Sequence, residues 1–197
     1  MRYFSFLLGF VLAACGSTGL PLNPYMDKNA TPQKFTACHN YGCSQRTAVG
    51  FGKRQWKKIL KEFRHAPKTP QQERQRIANA IAQMETYVGK AAGTYRDVGE
   101  ATARPKDNGQ MDCIDETVNT TLYLRFLEAE GVFKFHETAL PLHRGYFVDG
   151  AWPHNTAAIR EKKTGAIFAV DAYYKDNGNP PYMVPKKEWV SGWKPEK

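Results

Sequence analysis

Residues 112–131 read DCIDETVNTTLYLRFLEAEG, and this stretch decides how the rest of the chain is interpreted. Apolar side chains recur along it at intervals of four residues, which is the spacing of one face of an α-helix. They are Ile114, Val118, Leu122 and Phe126. Asp112 is suited to the N-cap, Asp115 stands at the capping-box position, and Gly131 is suited to end the helix. The stretch therefore predicts a helix that begins at Asp112 and places Cys113 in its first turn.

Two more amphipathic helices are predicted before this one. Residues 54–65 carry four apolar side chains at helical spacing, namely Trp56, Ile59, Leu60 and Phe63. The next helix has Thr69 as its N-cap, Gln72 to complete a capping box, and Gly89 as its end. Its apolar positions are Ile77, Ile81, Met84 and Val88. Residues 91–111 contain several glycines and no periodicity, which predicts a loop.

After Gly131 the helical spacing gives way to short runs of β-branched and aromatic residues, which are typical of strands. The runs cover residues 132–135, 146–148, 155–160 and 167–174. Between the last two, residues 162–165 (KKTG) predict a hairpin turn. Because helices come first and antiparallel strands second, we expect an α+β fold class.

Composition fits one globular domain with a tail. The chain has 197 residues, of which 42% are hydrophobic and 24% charged, and these proportions exclude collagen-like, coiled-coil and mostly disordered proteins. The net charge of +9 is compatible with binding to nucleic acid. However, Lys and Arg are spread along the chain without an aromatic-interleaved strip, so we expect no nucleic-acid partner. Anionic lipids, cell-wall polymers or acidic proteins suit this charge better.

Residues 1–14 have the order of an export signal, with Arg2 first, then an apolar run, then small residues. The sequence Leu12-Ala13-Ala14-Cys15 resembles the lipobox of bacterial lipoproteins. That resemblance implies a lipidated Cys15 as the first residue of the mature chain, and the Gly16 that follows implies the periplasmic face of the outer membrane. The alternative is an ordinary signal peptide followed by a chance cysteine.

Domain boundaries follow from this interpretation. Residues 15–34 are rich in Gly, Pro, Asn and Thr, and they predict a flexible tether. Residues 35–197 are expected to form a single α+β domain. The chain would then lie in the cell envelope, with the membrane as its partner through the lipid anchor. The sequence does not indicate an oligomeric state.

Cys38 and Cys43 are close in sequence and are separated by a turn-like segment. The oxidising environment of an exported protein favours a disulfide between them. A metal site that also uses His39 is the alternative, but three ligand-capable residues within six, with no second cluster nearby, do not match known zinc spacings. Cys113 is left unpaired, either as an inert buried side chain or as a reactive thiol.

Cys113 is the candidate nucleophile. A helix N-terminus lowers the pKa of a cysteine, although Asp112 and Asp115 act in the opposite direction, so a cationic histidine would have to contribute. His154 enters a predicted strand, and Asp171 lies in an apolar run on the next one. A hairpin between these strands could place Asp171 beside His154. The three residues would then serve as nucleophile, base and orienting group.

Asp112-Cys113-Ile114-Asp115 at the start of a helix, His154 at the start of a strand, and Val170-Asp171 on the following strand resemble the bacterial transglutaminase-like cysteine proteinases. The resemblance covers roughly residues 110–178. It implies a papain-like core with a Cys113-His154-Asp171 triad and no cofactor. Some members bind calcium through acids near the nucleophile. Ile114 stands where the family has an acidic residue, so the resemblance does not support calcium here.

An oxyanion donor is required beside such a nucleophile. The Cys113 main-chain N–H is well placed, and Gln110 is the candidate for a second, side-chain donor. His136 and His143 flank a proline-containing segment and are weaker candidates for a catalytic role. His39 and His65 are predicted at the surface.

The predicted function is thiol-dependent amide-bond chemistry, as in a cysteine peptidase or amidase, on an envelope protein or peptide. Hydrolysis and acyl transfer to an amine use the same triad. The alternative is a non-catalytic outer-membrane lipoprotein that uses the same fold for binding or structural support. A third and weaker hypothesis is calcium binding near the site by Asp112, Asp115 or Glu116.

Overall fold

The computed structural model describes residues 21–22, 24–26, 28–101, 108–145 and 153–196. Their helices and strands occur in the following order: β1 (Phe35–His39), β2 (Gln45–Val49), α1 (Lys53–Leu60), a short 3-10 helix (Lys61–Phe63), α2 (Pro70–Ala92), α3 (Cys113–Ala129), β3 (His136–Arg144), β4 (His154–Glu161), β5 (Ile167–Asp171), β6 (Tyr182–Pro185) and α4 (Lys186–Val190). Strands β1 and β2 form an antiparallel hairpin. The other four form an antiparallel sheet in the order β3-β4-β5-β6. The predicted α+β class is therefore confirmed.

The helix that carries Cys113 begins where the sequence predicts. One carboxylate oxygen of Asp112, Oδ1, accepts the main-chain N–H groups of Ile114 at 2.9 Å and Asp115 at 3.0 Å. Asp115 accepts the Asp112 N–H in return, at 3.1 Å, which completes the capping box. The chain leaves the helix at Gly131, where φ is +72°. These caps fix Cys113 as the first residue of α3.

Helix α2 begins as predicted but ends later. Thr69 Oγ1 accepts the Gln72 N–H at 3.2 Å, as expected for its N-cap. The helix continues past Gly89 to Ala92, so the predicted end at Gly89 is wrong. A Cβ atom at Gly89 would lie 2.4 Å from Asn177 Oδ1. Glycine is therefore required there for the close approach of Asn177, which comes from a distant part of the chain.

The strand predictions need one clear correction. Residues 132–135 were expected to form a strand, and the proline-containing segment between His136 and His143 was not, but β3 runs from His136 to Arg144. The Glu73 carboxylate accepts the N–H groups of Lys134, Phe135 and His136, so these donors fix the entry to the strand. β3 accommodates Pro141 because it is an edge strand with an irregular register between Ala139 and Leu142. The predicted strand at 146–148 lies outside the described residues.

The other two strand predictions agree with the structure. β4 and β5 pair around the predicted turn, where the Gly165 N–H donates to the Glu161 carbonyl at 2.8 Å. β5 ends at Asp171, three residues before the predicted end. Strands β1, β2 and β6 and helix α4 were not among the predicted elements.

The main core lies between α2, α3, the β1–β2 hairpin and one face of the sheet. Its fully buried side chains include Ile77, Ile81, Met84, Tyr123, Leu127 and Ile159. Each such aliphatic side chain stabilises the fold by about 1.5–3 kcal/mol through burial. This core holds the first turn of α3 against the hairpin and against β4.

Part of the predicted tether is packed against the domain. Leu22 is buried against Cys38, Cys43 and Val118, and the Phe51 N–H donates to the Pro32 carbonyl at 2.8 Å. The packed domain therefore begins before residue 35. The predicted export signal and Cys15 lie outside the described residues. Within the described ranges, no helix is both long and apolar enough to cross a bilayer.

Candidate active site

The predicted disulfide between Cys38 and Cys43 is present, and its loop contacts the start of α3. Residues 40–43 all have positive φ angles, between 57° and 65°. In this conformation the loop turns three main-chain N–H groups toward two carboxylates. Tyr41 and Cys43 donate to Asp115 at 2.8 and 2.6 Å, and Gly42 donates to Asp112 at 2.9 Å. The disulfide loop therefore braces the helix turn that carries Cys113.

These contacts also bear on the calcium hypothesis. The carboxylate oxygens of Asp112 and Asp115 face main-chain N–H groups, which present partial positive charge and occupy the positions a cation would need. Among the described residues, no group of three or more His, Cys, Asp or Glu side chains is arranged to hold a metal ion.

Cys113 is a free, half-buried cysteine at the first position of α3. Burial is the main influence on its pKa and raises it, and the charges of Asp112 and Asp171 add to the increase. Hydrogen bonds from the main chain and the side chain of Asn155 lower the pKa, but by less. The net pKa is about 11, so the helix N-terminus alone does not produce a thiolate at neutral pH.

His154 and Asp171 are in direct contact. His154 Nε2 lies 2.9 Å from Asp171 Oδ2, and both side chains are buried. Trp189 Nε1 donates to the same carboxylate oxygen at 2.6 Å. A carboxylate accepts here, so Nε2 carries the proton and Nδ1 is the ring nitrogen left to act as a base.

The thiol lies close to the strand that carries His154. Asn155, which contacts the Cys113 sulfur, directly follows His154 on β4. The charge of Asp171 also acts on the thiol. The structure thus brings His154 and Asp171 into contact at the ends of two neighbouring strands and places Cys113, in the first turn of α3, beside the residue that follows His154.

Aromatic rings surround the His154 imidazole. The ring centroids of Tyr173, Trp189 and Tyr174 lie 5.0, 5.3 and 5.6 Å from it. The Arg144 guanidinium stacks over Trp189 at 4.3 Å and donates to the Tyr174 hydroxyl at 2.9 Å. These contacts hold the imidazole in one orientation and limit the access of water to it.

Gln110, the predicted side-chain oxyanion donor, is engaged elsewhere. Its Nε2 donates to the Arg96 carbonyl at 2.9 Å, and its Oε1 accepts the Val98 N–H at 3.2 Å. Both ends of the amide therefore brace the loop before α3. The structure does not support Gln110 as an oxyanion donor, because its amide is already committed to this loop.

The remaining histidines differ in their surroundings. His143 Nδ1 lies 3.0 Å from Asn155 Oδ1, which places it next to the site. His136 is fully buried and pairs with Glu73 at 2.9 Å. His65 is exposed, as predicted. His39 is buried, with Nε2 2.9 Å from Thr47 Oγ1, so the prediction of a surface position was wrong for it.

A cluster of buried carboxyl groups adjoins the first turns of α3. Burial and the charges of Glu85, Asp97 and Asp115 raise the pKa of Glu116 well above its ordinary value. Burial likewise raises the pKa of Glu85 to about 7 and that of Asp97 to about 8. Glu116 Oε2 is buried without a hydrogen-bond partner among the described residues. The cluster therefore retains protons at a pH where exposed carboxyl groups have lost them.

Sequence reasoning missed Asn155, Trp189 and this cluster as parts of the site. One signal was available for Glu85, because it lies four residues after Ile81 and three before Val88, within the apolar stripe of α2. For Asn155 the only local signal was its position directly after His154. Comparison of the chain with protein-family models, curated proteins and solved structures found no match.

Proposed function

We propose that the chain is an exported lipoprotein that acts on amide bonds through the thiol of Cys113, as a cysteine peptidase or amidase. The observation that carries the proposal is the buried His154–Asp171 hydrogen bond of 2.9 Å. Asn155, the residue after His154, hydrogen-bonds to the Cys113 sulfur at the helix N-terminus. Nucleophile, base and orienting group are the parts that such chemistry requires.

The proposed reaction starts from a neutral thiol, because its pKa of about 11 keeps the proton on sulfur at neutral pH. The Cys113 sulfur bonds to the substrate carbonyl carbon while its proton passes to Nδ1 of His154, and the carbonyl π electrons move to oxygen. Asp171 keeps the proton on Nε2 and stabilises the imidazolium that forms. Burial of the pair strengthens that stabilisation.

Collapse of the tetrahedral intermediate breaks the carbon–nitrogen bond. The proton on His154 goes to the departing amine, and a thioester remains on Cys113. Water then attacks the thioester with His154 as base, which releases the acid and restores the thiol. Attack by an amine in place of water would instead complete an acyl transfer.

The resemblance to the transglutaminase-like cysteine proteinases supports the proposal. It rests on Asp112-Cys113, His154 and Asp171, in the chain order of that family, and it implies a papain-like core. The signal-like residues 1–14 and the lipobox at Cys15 support a lipid-anchored protein of the cell envelope, with an envelope protein or peptide as substrate.

A non-catalytic outer-membrane lipoprotein is the second candidate. The raised pKa of Cys113 favours it, because a buried neutral thiol is a weak nucleophile without help from a base. In that case the domain would serve binding or structural support, and Cys113 would be inert.

A peptide-cleavage experiment separates the two candidates. The full chain, purified in detergent, is incubated with a library of unmodified peptides, and new termini are identified by mass spectrometry. We expect cleavage by the wild type, loss of at least ~10³-fold in rate for Cys113→Ser, and full activity for the matched control Cys15→Ser. The proposal fails if Cys113→Ser, folded by circular dichroism, cleaves as well as the wild type or if the wild type cleaves nothing.

A further inference from the structure

Both polar groups of the Asn155 side-chain amide have a partner in the structure. Its Oδ1 lies 3.0 Å from His143 Nδ1. An amide oxygen only accepts, so the His143 ring must donate from Nδ1. With the oxygen held on that side, the NH₂ group is the part of the amide that contacts the Cys113 sulfur.

Strand pairing fixes this arrangement. His143 and Asn155 are directly opposite each other in the β3–β4 register. Cross-strand neighbours of this kind hold their side chains a few ångströms apart without a flexible linker. Asn155 is 8% exposed, so water competes little for its hydrogen bonds.

An oxyanion is expected close to the Asn155 amide during the proposed reaction. When sulfur bonds to a carbonyl carbon, the oxygen of the tetrahedral intermediate lies about one hydrogen-bond length from that sulfur, and a donor that reaches the sulfur can also reach this oxygen. Gln110 does not compete for the role, because its amide is bonded to the loop at Arg96 and Val98.

We propose that the Asn155 side-chain amide is the second oxyanion donor of the Cys113 site, beside the Cys113 main-chain N–H, and that His143 orients this amide. Asn155 is then a catalytic residue and His143 a positioning residue. The inference rests on the proposed function, since it concerns the acyl-transfer step at Cys113.

Two probes of the same thiol separate oxyanion stabilisation from effects on the thiol itself. p-Nitrophenyl acetate acylates a thiol through a tetrahedral oxyanion. Iodoacetamide alkylates it by displacement at a saturated carbon, and no oxyanion forms. Both products are measured on the Cys113 peptide of the full chain by mass spectrometry, with Cys113→Ser as the blank.

For Asn155→Ala we expect the acylation rate to fall about 10²–10³-fold and the alkylation rate to change only a few-fold. The matched control is Thr156→Val, the next residue on β4, which should leave both rates unchanged. Its hydroxyl donates to the Val170 main-chain carbonyl at 2.9 Å. Circular dichroism and the Tm establish that each variant is folded.

His143→Phe should lower acylation about tenfold with little effect on alkylation, and His143→Gln, which keeps a donor, should recover part of the loss. The inference is overturned if acylation and alkylation fall together in Asn155→Ala, or if neither changes while the wild type still acylates. If the wild type acylates no faster than Cys113→Ser, the proposed function fails along with the inference.

Discussion

Two histidine–carboxylate pairs in this molecule have the same length and different surroundings. His136 Nδ1 and Glu73 Oε1 are 2.9 Å apart, as are His154 Nε2 and Asp171 Oδ2. All four side chains are buried. The pairs therefore differ neither in their contact distance nor in their accessibility to water, and any difference in role must come from their other partners.

The first pair is saturated with partners. Glu73 also accepts the main-chain N–H groups of residues 134–136, and the second ring nitrogen of His136 lies 3.3 Å from Arg74. Burial raises the pKa of Glu73, but these hydrogen bonds together lower it by more than burial raises it, so the net pKa is below its ordinary value. Such a pair holds α2 to the start of β3 and has no free position for a substrate.

The second pair, here the open pair, has fewer hydrogen bonds than the first among the described residues. Asp171 Oδ1 is buried without a hydrogen-bond partner among the described residues, and the hydrogen bond to Asp171 leaves His154 Nδ1 as the basic nitrogen. The residue after His154 contacts a thiol. The unused acceptor and the adjacent nucleophile, and not the pair itself, therefore distinguish a candidate catalytic dyad from a structural one.

The largest expected effect is a loss in the rate of Cys113 acylation when the open pair loses its histidine. We expect His154→Ala to lower the rate of Cys113 acylation by p-nitrophenyl acetate about 10²–10⁴-fold, because general-base help is lost. The exposed His65→Ala variant is the control and should match the wild type. Equal rates in His154→Ala and His65→Ala would contradict a catalytic role for the open pair.

The saturated pair should affect stability more than reactivity. We expect Glu73→Ala to lower the free energy of unfolding by about 3–5 kcal/mol, because it leaves His136 and three main-chain donors buried and unpaired. Glu137→Ala, which breaks an exposed ion pair with Arg160, should cost less than about 1 kcal/mol. Urea titration measures both, and similar losses in the two variants would refute the structural assignment.

The buried carboxyl cluster should make stability depend on pH in the opposite sense to Glu73. Folding raises the pKa of Glu85 from 4.5 to about 7 and that of Asp97 to about 8. The unfolded chain loses these protons first, so the cluster favours folding at low pH, and stability declines as the pH rises from about 4.5 to 8. The lowered pKa of Glu73 instead contributes stability that disappears as the pH falls below 4.5.

Replacement of Glu116 by glutamine tests the predicted pH dependence of the buried cluster. Glu116→Gln removes an ionisable group whose pKa is raised by burial and by neighbouring carboxylates, so it should raise the free energy of unfolding above neutral pH and flatten the decline. Glu188→Gln at an exposed position should follow the wild-type curve. A destabilising effect of Glu116→Gln at pH 8 would show that the carboxylate is ionised and satisfied.

The smallest effect concerns the disulfide loop that braces the first turn of α3. Replacement of both Cys38 and Cys43 by Ser opens a short covalent loop and should cost about 2 kcal/mol of stability. The loop supplies three N–H donors to Asp112 and Asp115, so acylation of Cys113 should also slow. The exposed His65→Ala variant is again the control, and an unchanged acylation rate in the double variant would separate the loop from the site.

Local signals explain what the sequence could predict. The caps Asp112 and Asp115 and the four-residue apolar spacing lie within one stretch, so α3 and the position of Cys113 follow from neighbouring residues alone. The turn at 162–165 and the two flanking strands are equally local, and they bring His154 and Asp171 together. The α+β class follows from the order of these elements.

Contacts between distant residues explain what it could not predict. β3 contains Pro141 and two histidines, and its entry depends on Glu73 more than sixty residues earlier in the chain. Gly89 lies inside a helix because Asn177 packs against it. The burial of Glu116, the engagement of Gln110 and the contact of Asn155 with the thiol likewise arise only when separate elements pack together.

The most direct test of the account is the pH dependence of Cys113 alkylation by iodoacetamide in the wild type and in His154→Ala. We predict that the wild type reacts at least about tenfold faster at neutral pH, because His154 accepts the thiol proton. The two rates should converge as the pH approaches the thiol pKa of about 11, where the thiolate forms without a base. Rates that coincide over the whole range would show that Cys113 is an inert buried thiol and would contradict the proposed function.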